Sequence, residues 1–154
     1  MAEKDVTSVL DESGVDYELL PHPRTETAAA EAEALGVNPQ EVAKTLVLST
    51  PEGYVRAVLA ASDRIDLSKV RDQVEGGKRI HLASEEDLQR DYPGFDLGAV
   101  PPFGGVGDRV LVDARLARQE TVVVEAGSHE QSVRIRTADL LKLAQAEVVD
   151  LAQD

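Results

Sequence analysis

Residues 44–61 constrain the fold more than any other part of the chain. They contain KTLVLST and YVRAVLAA, two apolar runs rich in branched residues, with the turn PEG between them. Two such runs joined by a short turn that contains glycine predict an antiparallel hairpin. The hairpin therefore supplies the first two neighbouring strands of a sheet.

A lysine, Lys44, stands at the mouth of the first of these strands, just after a short turn that contains Pro39. Lysine is seldom fully buried, because removing its charge from water is costly unless a partner compensates. Two interpretations stay open. Lys44 is either a solvated strand end or a charge held ready for an anionic ligand.

The rest of the chain alternates between helical and extended patterns. Helices are predicted at residues 6–14, 25–36, 66–77, 84–91 and 137–146, and further strands at 16–21, 78–83, 109–113, 120–126, 131–137 and 147–152. Consecutive strands with interspersed helices predict an α+β fold, with a central mixed, largely antiparallel sheet flanked by helices. We expect a single domain over residues 1–154, a length that allows a sizeable core.

Composition excludes several kinds of chemistry. The sequence has no cysteine, so disulfides, thiolate metal sites and a cysteine nucleophile are excluded. The N-terminus lacks an apolar signal region, and no apolar run approaches the roughly 18 residues of a membrane span. We therefore expect a cytoplasmic protein with no membrane partner.

The formal net charge is −13, which argues against nonspecific binding to nucleic acid. One local basic stretch remains, formed by Arg64, Lys69, Arg71, Lys78 and Arg79. Clustered charges usually face water. The stretch is therefore either solvated surface or a local contact to phosphates.

Residues 92–108, YPGFDLGAVPPFGGVGD, form a long segment rich in glycine and proline. Loops of this length are uncommon in a compact domain and are often functional. Proline fixes the backbone and glycine lets a ligand approach it, so the loop could present N–H groups of fixed direction to a carbonyl oxygen. An ordinary ordered connection is the alternative.

The three histidines, His22, His81 and His129, lack the spacing of a metal site, and we predict no metal. His22 could line a cleft but is more typical of a surface loop. His129 lies at a predicted hairpin tip, where a solvated turn is the simplest interpretation. The sequence also lacks a serine nucleophile elbow and a phosphate-binding loop. These observations favour a pocket that positions a substrate for attack by water.

Four stretches of the sequence carry a resemblance to a known family. They are HPRTETAAAEAEALGV, VAKTLVL, GAVPPFGG and VVVEAGSHEQSVRIRTADLLKL, followed by AEVVDLA. In order, spacing and coverage, from about Val6 to Leu151, the chain resembles the YbaK/ProX family of aminoacyl-tRNA deacylases. That family also occurs as the editing insertion of bacterial prolyl-tRNA synthetases.

The resemblance implies a function and a site. Family members hydrolyse the ester of a mischarged tRNA, commonly tRNA for proline carrying alanine or cysteine, without metal or organic cofactor. The family lysine falls on Lys44, which we expect to anchor the acceptor end. Lys44 is not expected to act as a nucleophile, because an amine attacking an ester would form a stable amide. Substrate-binding residues are expected at His22, Thr45, Gly98, Ala99, Val100, Pro101, Phe103, Gly104, Gly127, His129 and Asp139.

Two segments depart from the family pattern. Cysteine-specific relatives tend to have G-G-I-S-P in the loop, whereas residues 98–102 are GAVPP, and the hairpin tip is AGSHEQ rather than basic. The expected partners are the acceptor end of a mischarged tRNA and a prolyl-tRNA synthetase or other protein that delivers it. A noncatalytic module that binds an aminoacyl or nucleotide end is the alternative function.

Overall fold

The computed structural model describes residues 6–96, 99–103 and 108–154. Six α-helices are found in these ranges: α1 Val6–Ser13, α2 Ala28–Leu35, α3 Leu67–Gln73, α4 Glu85–Asp91, α5 Ala114–Ala117 and α6 Thr137–Ala144. Two single-turn 3-10 helices lie at Pro39–Glu41 and Gly77–Arg79. The strands are β1 Glu18–Pro21, β2 Ala43–Thr50, β3 Gly53–Ala60, β4 His81–Leu82, β5 Arg109–Asp113, β6 Thr121–Ser128, β7 Gln131–Arg136 and β8 Glu147–Val149.

The strands form two sheets that meet at one edge. The larger sheet has the order β4-β2-β3-β5-β8, and the smaller has the order β1-β7-β6. Every pairing is antiparallel except β3 with β5 and β5 with β8. A parallel bridge between Val42 and Val123 joins the two sheets. The predicted α+β class with a mixed, largely antiparallel sheet is confirmed, and the sheet is divided at this seam.

Local sequence signals explain where most helices begin. The Thr27 side chain caps α2 by accepting from Ala30 N at 3.1 Å, and Asp66 caps α3 in the same way. Ser84 and Asp87 form the predicted capping box at the start of α4. These contacts satisfy backbone N–H groups that have no partner inside the helix.

The structure differs from the local predictions around α3, β4 and α5. The helix predicted over 66–77 ends at Gln73, and a 3-10 turn follows it. The strand predicted over 78–83 is reduced to the two residues of β4. Helix α5 was not predicted, because its four residues are too few to show a helical period.

Two apolar layers enclose the larger sheet. On one face, Val58 and Val112 pack with Val124 and Ile135 of the smaller sheet and with Leu10 of α1. On the other face, Leu48 and Leu111 pack with Val70 of α3. Strand β3 is covered on both faces and is therefore the rigid centre of the fold. None of the helices in the described ranges could span a bilayer.

Candidate functional site

The first half of β2 has an open edge beside the seam. Strand β4 pairs with β2 only at Leu48 and Ser49, and the bridge to β6 is at Val42, so residues 44–46 are paired with no strand on that side among the described residues. A cavity of ≈ 190 Å³ lies at this edge, and its lining residues come from three parts of the chain. They are Ala28, Ala43, Lys44, Thr45, Leu46, Val100 and Glu125.

The backbone of Thr45 points toward this open edge. Alternate residues of a strand direct their N–H and C=O groups to the same side. Val42 O accepts from Ala61 N on the β3 side, whereas Val47 O accepts from Ala83 N on the β4 side. Thr45 lies two residues before Val47, so its main-chain N–H points to the same side of the strand. This N–H is available to polarise a carbonyl oxygen in the cavity.

Lys44 is half-buried at the cavity, and its ammonium donates a hydrogen bond to the main-chain O of Asp63. Burial lowers the pKa of Lys44, the nearby Asp63 opposes that shift, and Arg64 adds to it. The carbonyl oxygen of Asp63 fixes the direction of the ammonium, and the side chain of the same residue offsets part of its charge. The structure therefore supports a charge that is held at a cavity rather than a solvated strand end.

Glu125, which the sequence analysis did not single out, lines the same cavity from β6. Its side chain is 9% exposed. Burial, followed by repulsion from Glu31, Asp96 and Glu26, raises the pKa of Glu125 to about 9. The isolated parallel bridge between Val42 and Val123 lies two residues before Lys44 on one strand and two residues before Glu125 on the other.

His129 lies in the turn between β6 and β7 and is 1% exposed. The solvated-turn interpretation of this residue is therefore wrong. Its Nδ1 lies 3.3 Å from Oε2 of Glu125, and its backbone N donates to Asp96 at 3.2 Å. The turn folds inward because Thr25 N, from the segment before α2, donates to His129 O at 3.0 Å.

Gly127 belongs to an irregular part of the same hairpin, between Glu125 and Ser128. Its φ of +94° is strained for other residues, and a Cβ there would lie 2.9 Å from Cδ1 of Phe95. Gly127 O also accepts from Asp96 N at 3.0 Å. Gly127 thus permits the start of the Gly/Pro loop to lie against the hairpin.

A buried arginine fixes the described part of that loop. Arg56 of β3 is 1% exposed, and its Nη1 donates to Pro101 O at 2.7 Å. Its Nε lies 2.9 Å from Oδ1 of Asp108, and Tyr92 donates to Oδ2 of Asp108 at 2.6 Å. Arg56 therefore holds the segment that carries Val100 to the cavity.

A second polar cluster lies behind Glu125. Ser132 stands opposite Glu125 in the β6–β7 register, and its hydroxyl bonds the buried carboxyl of Glu31. His22 Nε2 lies 2.9 Å from the same hydroxyl, and His22 Nδ1 lies 2.8 Å from Pro23 O. Burial raises the pKa of Glu31 to about 7. His22 is thus joined to the core through Ser132.

The predicted site residues divide into four groups. Thr45 and Val100 line the cavity with Lys44, and Ala99 and Pro101 are buried beside Val100 in the loop. His22, Gly127 and His129 belong to the surrounding polar cluster and hairpin. Phe103 is buried in the main core, and Asp139 lines a separate cavity of ≈ 480 Å³ beside α1. Gly98 and Gly104 lie outside the described residues.

Sequence reasoning missed Glu125 and Arg56. Each is a lone charge inside an apolar strand, VVVEA or YVRAV. A buried charge normally requires a partner or a function, so an interrupted apolar run was the available signal.

Comparison with known proteins finds relatives over nearly the whole chain. A family model described as an aminoacyl-tRNA editing domain matches residues 22–143. The multifunctional Ser/Thr-tRNA deacylase ProXp-y of Escherichia coli strain K12 is 31% identical over 165 residues, which cover 97% of this chain and 95% of that protein. A proline–tRNA ligase of Thermosipho melanesiensis is 24% identical over 116 residues, which cover 75% of this chain and 20% of the ligase.

Solved structures share the fold. A crystal structure described as a candidate trans-editing enzyme for prolyl tRNA synthetase matches with a TM-score of 0.87 and 27% identity. The match covers 97% of this chain and 95% of that one.

Proposed function

Because the chain belongs to the family of aminoacyl-tRNA editing domains, we propose that it removes a small amino acid, serine or threonine first, from mischarged tRNA. Hydrolysis of an aminoacyl-tRNA ester is the reaction of this family. The observation that carries the choice of substrate is the cavity of ≈ 190 Å³, whose lining includes Lys44, Thr45 and Glu125.

The chemistry requires positioning more than a strong nucleophile. Water adds to the ester carbonyl, the bond to the ribose oxygen breaks, and the products are the free amino acid and the tRNA hydroxyl. The Thr45 N–H is placed to stabilise the oxyanion that forms on the carbonyl oxygen. Lys44 binds the phosphate of the terminal nucleotide as a point charge and adds positive potential beside the reacting carbonyl.

The size and polarity of the cavity support the choice of amino acid. Its apolar lining consists of Ala28, Ala43, Leu46 and Val100, and its polar residues come from β2 and β6. A cavity of this size and mixed polarity suits a short side chain that carries a hydroxyl. The E. coli relative is named for serine and threonine. Alanine and cysteine, which the family resemblance implied, are close in size. An apolar wall separates such neighbours by only about 1–3 kcal/mol.

Delivery of the tRNA by a prolyl-tRNA synthetase is a further part of the proposal. The similarity to a proline–tRNA ligase over 75% of this chain supports it, because the same fold is built into that ligase. The net charge of −13 also favours a partner that holds the tRNA, since this chain has few cations to spare for the phosphate backbone.

A deacylation panel tests the proposal. Seryl, threonyl, alanyl, cysteinyl and prolyl esters of the same tRNA are incubated with micromolar protein, and initial rates are corrected for spontaneous hydrolysis. We expect the four small esters to be hydrolysed faster than the prolyl ester. Failure to hydrolyse any of them would remove the proposed function, and a prolyl ester cleaved equally fast would remove the assignment of the substrate.

A further inference from the structure

A lysine and a glutamate from two different strands line the same cavity. Lys44 on β2 and Glu125 on β6 both line it, and each follows by two residues the isolated bridge that joins Val42 and Val123. They are not paired with each other in the described structure, because Lys44 donates to Asp63 O instead. A ligand that enters the cavity therefore meets a cationic group on one wall and a carboxyl group on the other.

The carboxyl wall has an excess of negative charge. The titratable groups around Glu125 are Glu31 from α2, Asp96 from the loop, Glu26 before α2 and His129 on its own hairpin. Three of these four are acids. Oε2 of Glu125 makes no hydrogen bond within the described ranges, although Nδ1 of His129 lies at 3.3 Å. A buried carboxyl in such surroundings is stabilised by an incoming cation.

An aminoacyl-tRNA end has the complementary arrangement. Its phosphate is negative, its ester carbonyl lies between, and its α-amino group is positive when protonated. We propose that Glu125 is a specificity-determining residue that receives the α-ammonium group of the aminoacyl ester while Lys44 receives the nucleotide end. This inference deepens the proposed function and rests on it.

The proton balance of this contact is simple. A neutral amine that meets a protonated Glu125 shares one proton with it, and the product is a carboxylate–ammonium pair. A charged ammonium that meets a protonated Glu125 forms the same pair and releases one proton to solvent. The raised pKa of Glu125 is a property of the empty cavity, and the cation lowers it by opposite charge.

The pair explains why a cavity this small can act on several amino acids. The α-ammonium group is common to every aminoacyl ester, so it anchors the substrate regardless of its side chain. The side chain then needs only to fit the remaining space beside Ala28 and Val100.

A matched substrate pair separates charge from size. Deamination of seryl-tRNA with nitrous acid replaces the α-ammonium by a hydroxyl of nearly the same volume and gives glyceryl-tRNA. We expect the wild-type protein to prefer the seryl ester by about 10- to 150-fold in kcat/KM, because this is the size of effect that one charge-assisted hydrogen bond contributes. In Glu125→Gln, we expect this preference to fall to about threefold or less.

The two esters differ in intrinsic reactivity, but this difference is the same for the wild-type protein and for the variant. It therefore cancels when the preference for the seryl ester is compared between the two proteins. Glu120→Gln makes the same change of charge at the exposed residue just before β6, and it should keep the wild-type preference. An unchanged preference in Glu125→Gln, or no preference in the wild type, would overturn the assignment of Glu125.

Binding of stable analogues keeps the two proposals distinguishable. The seryl and glyceryl amides of 3′-amino-3′-deoxyadenosine cannot be hydrolysed as esters, and their dissociation constants are measured by calorimetry. Tighter binding of the seryl amide that is lost in Glu125→Gln supports the inference even if no ester is cleaved, in which case the deacylase assignment alone fails. Equal binding of both amides to the wild-type protein refutes the role of Glu125.

Discussion

At the scale of single residues, the site depends on charges that are held out of water. Lys44 is half-buried and donates to a neutral carbonyl oxygen rather than to a carboxylate. Glu125 and Glu31 are buried among other acids. The charged form of each of these groups is less stable in the folded protein than in water. Such perturbed ionisable residues are typical of functional sites.

We predict that Lys44→Ala reduces activity without unfolding the protein. Loss of a charge-assisted contact worth about 1.5–3 kcal/mol corresponds to roughly a 10- to 150-fold lower kcat/KM. The melting temperature should be unchanged or higher, because burial of the ammonium opposes folding. Lys44→Arg should restore activity only partly, since a planar guanidinium does not replace a point charge.

Single-turnover deacylation and thermal unfolding of the same preparations measure both effects. Lys142→Ala, at an exposed position of α6, is the matched control. Full activity of Lys44→Ala, or activity lost only together with the fold, would contradict a functional role for Lys44.

A second residue-scale prediction concerns pH. Glu31 has a pKa of about 7 and Glu125 of about 9 in the folded protein, both above the ordinary value near 4.5. Folding therefore favours the protonated forms. The contribution of these two groups to the free energy of unfolding is most favourable below about pH 4.5. It should fall as pH rises through about 7 for Glu31 and about 9 for Glu125, by at most about 1.4 kcal/mol per pH unit for each.

Urea unfolding at pH 5, 7 and 9 checks this prediction through differences between wild type and variants. Glu125→Gln should remove part of the loss of stability over the whole interval, and Glu31→Gln mainly between pH 5 and 7. Parallel pH profiles for wild type and both variants would show that neither carboxyl is perturbed.

At the scale of elements, the cavity depends on how β3 holds the Gly/Pro loop. Arg56 binds Pro101 O and Asp108, and its guanidinium carbon lies 5.4 Å from the centre of the Tyr92 ring. These contacts join β3, the most covered strand, to both described ends of the Gly/Pro loop. The described part of the loop is therefore held by a strand with no residue in the cavity lining.

We predict that Arg56→Leu lowers stability by about 3–5 kcal/mol, because it leaves Asp108 buried without its cation. Adding Asp108→Asn should recover part of this loss by removing the uncompensated charge. The double variant should still have reduced activity, since Pro101 O loses its donor and Val100 is less well placed.

Urea unfolding and the seryl-ester assay on the two single variants and the double variant form a complete cycle. Purely additive stability losses, or a double variant with wild-type activity, would show that Arg56 does not position the loop.

At the scale of the whole molecule, an acidic protein must attract a polyanion locally. The residues of the predicted basic stretch have different surroundings in the structure. Lys69 bonds Asp150 and Asp154, and Arg71 donates to Gly77 O, so both act within the fold. Arg64 is exposed and lies close enough to Lys44 to lower its pKa.

Arg64→Glu should therefore raise KM several-fold at low salt and leave kcat nearly unchanged, with a shallow salt dependence from few phosphate contacts. Arg79→Glu is the control, because residue 79 adjoins β4, which pairs with the far end of β2 at Ser49. That places it roughly 16 Å from Lys44 along the strand. Equal effects of the two variants, or a KM insensitive to salt, would contradict a local phosphate contact at Arg64.

The sequence by itself determined most of the elements and the family. Hairpin β2–β3, the caps at Thr27 and Asp66 and the capping box at Ser84 follow from neighbours within a few positions, where propensity and hydrogen bonding act directly. The order of the motifs predicted the family and the reaction class, and the family match and the related deacylase confirm both. Lys44 and the Gly/Pro loop were also evident, because each is unusual in its own local context.

Only the tertiary structure decided which distant residues meet. Glu125 lines the same cavity as Lys44 although the two come from different sheets, and Arg56 meets Asp108 across 52 positions of sequence. The alternation of a strand tells which side chains share a face, but not which element covers that face. His129 was taken for a solvated turn because its burial depends on the segment before α2 and on Asp96. The cavity exists because two sheets join at one bridge and then part, and only tertiary packing decides that.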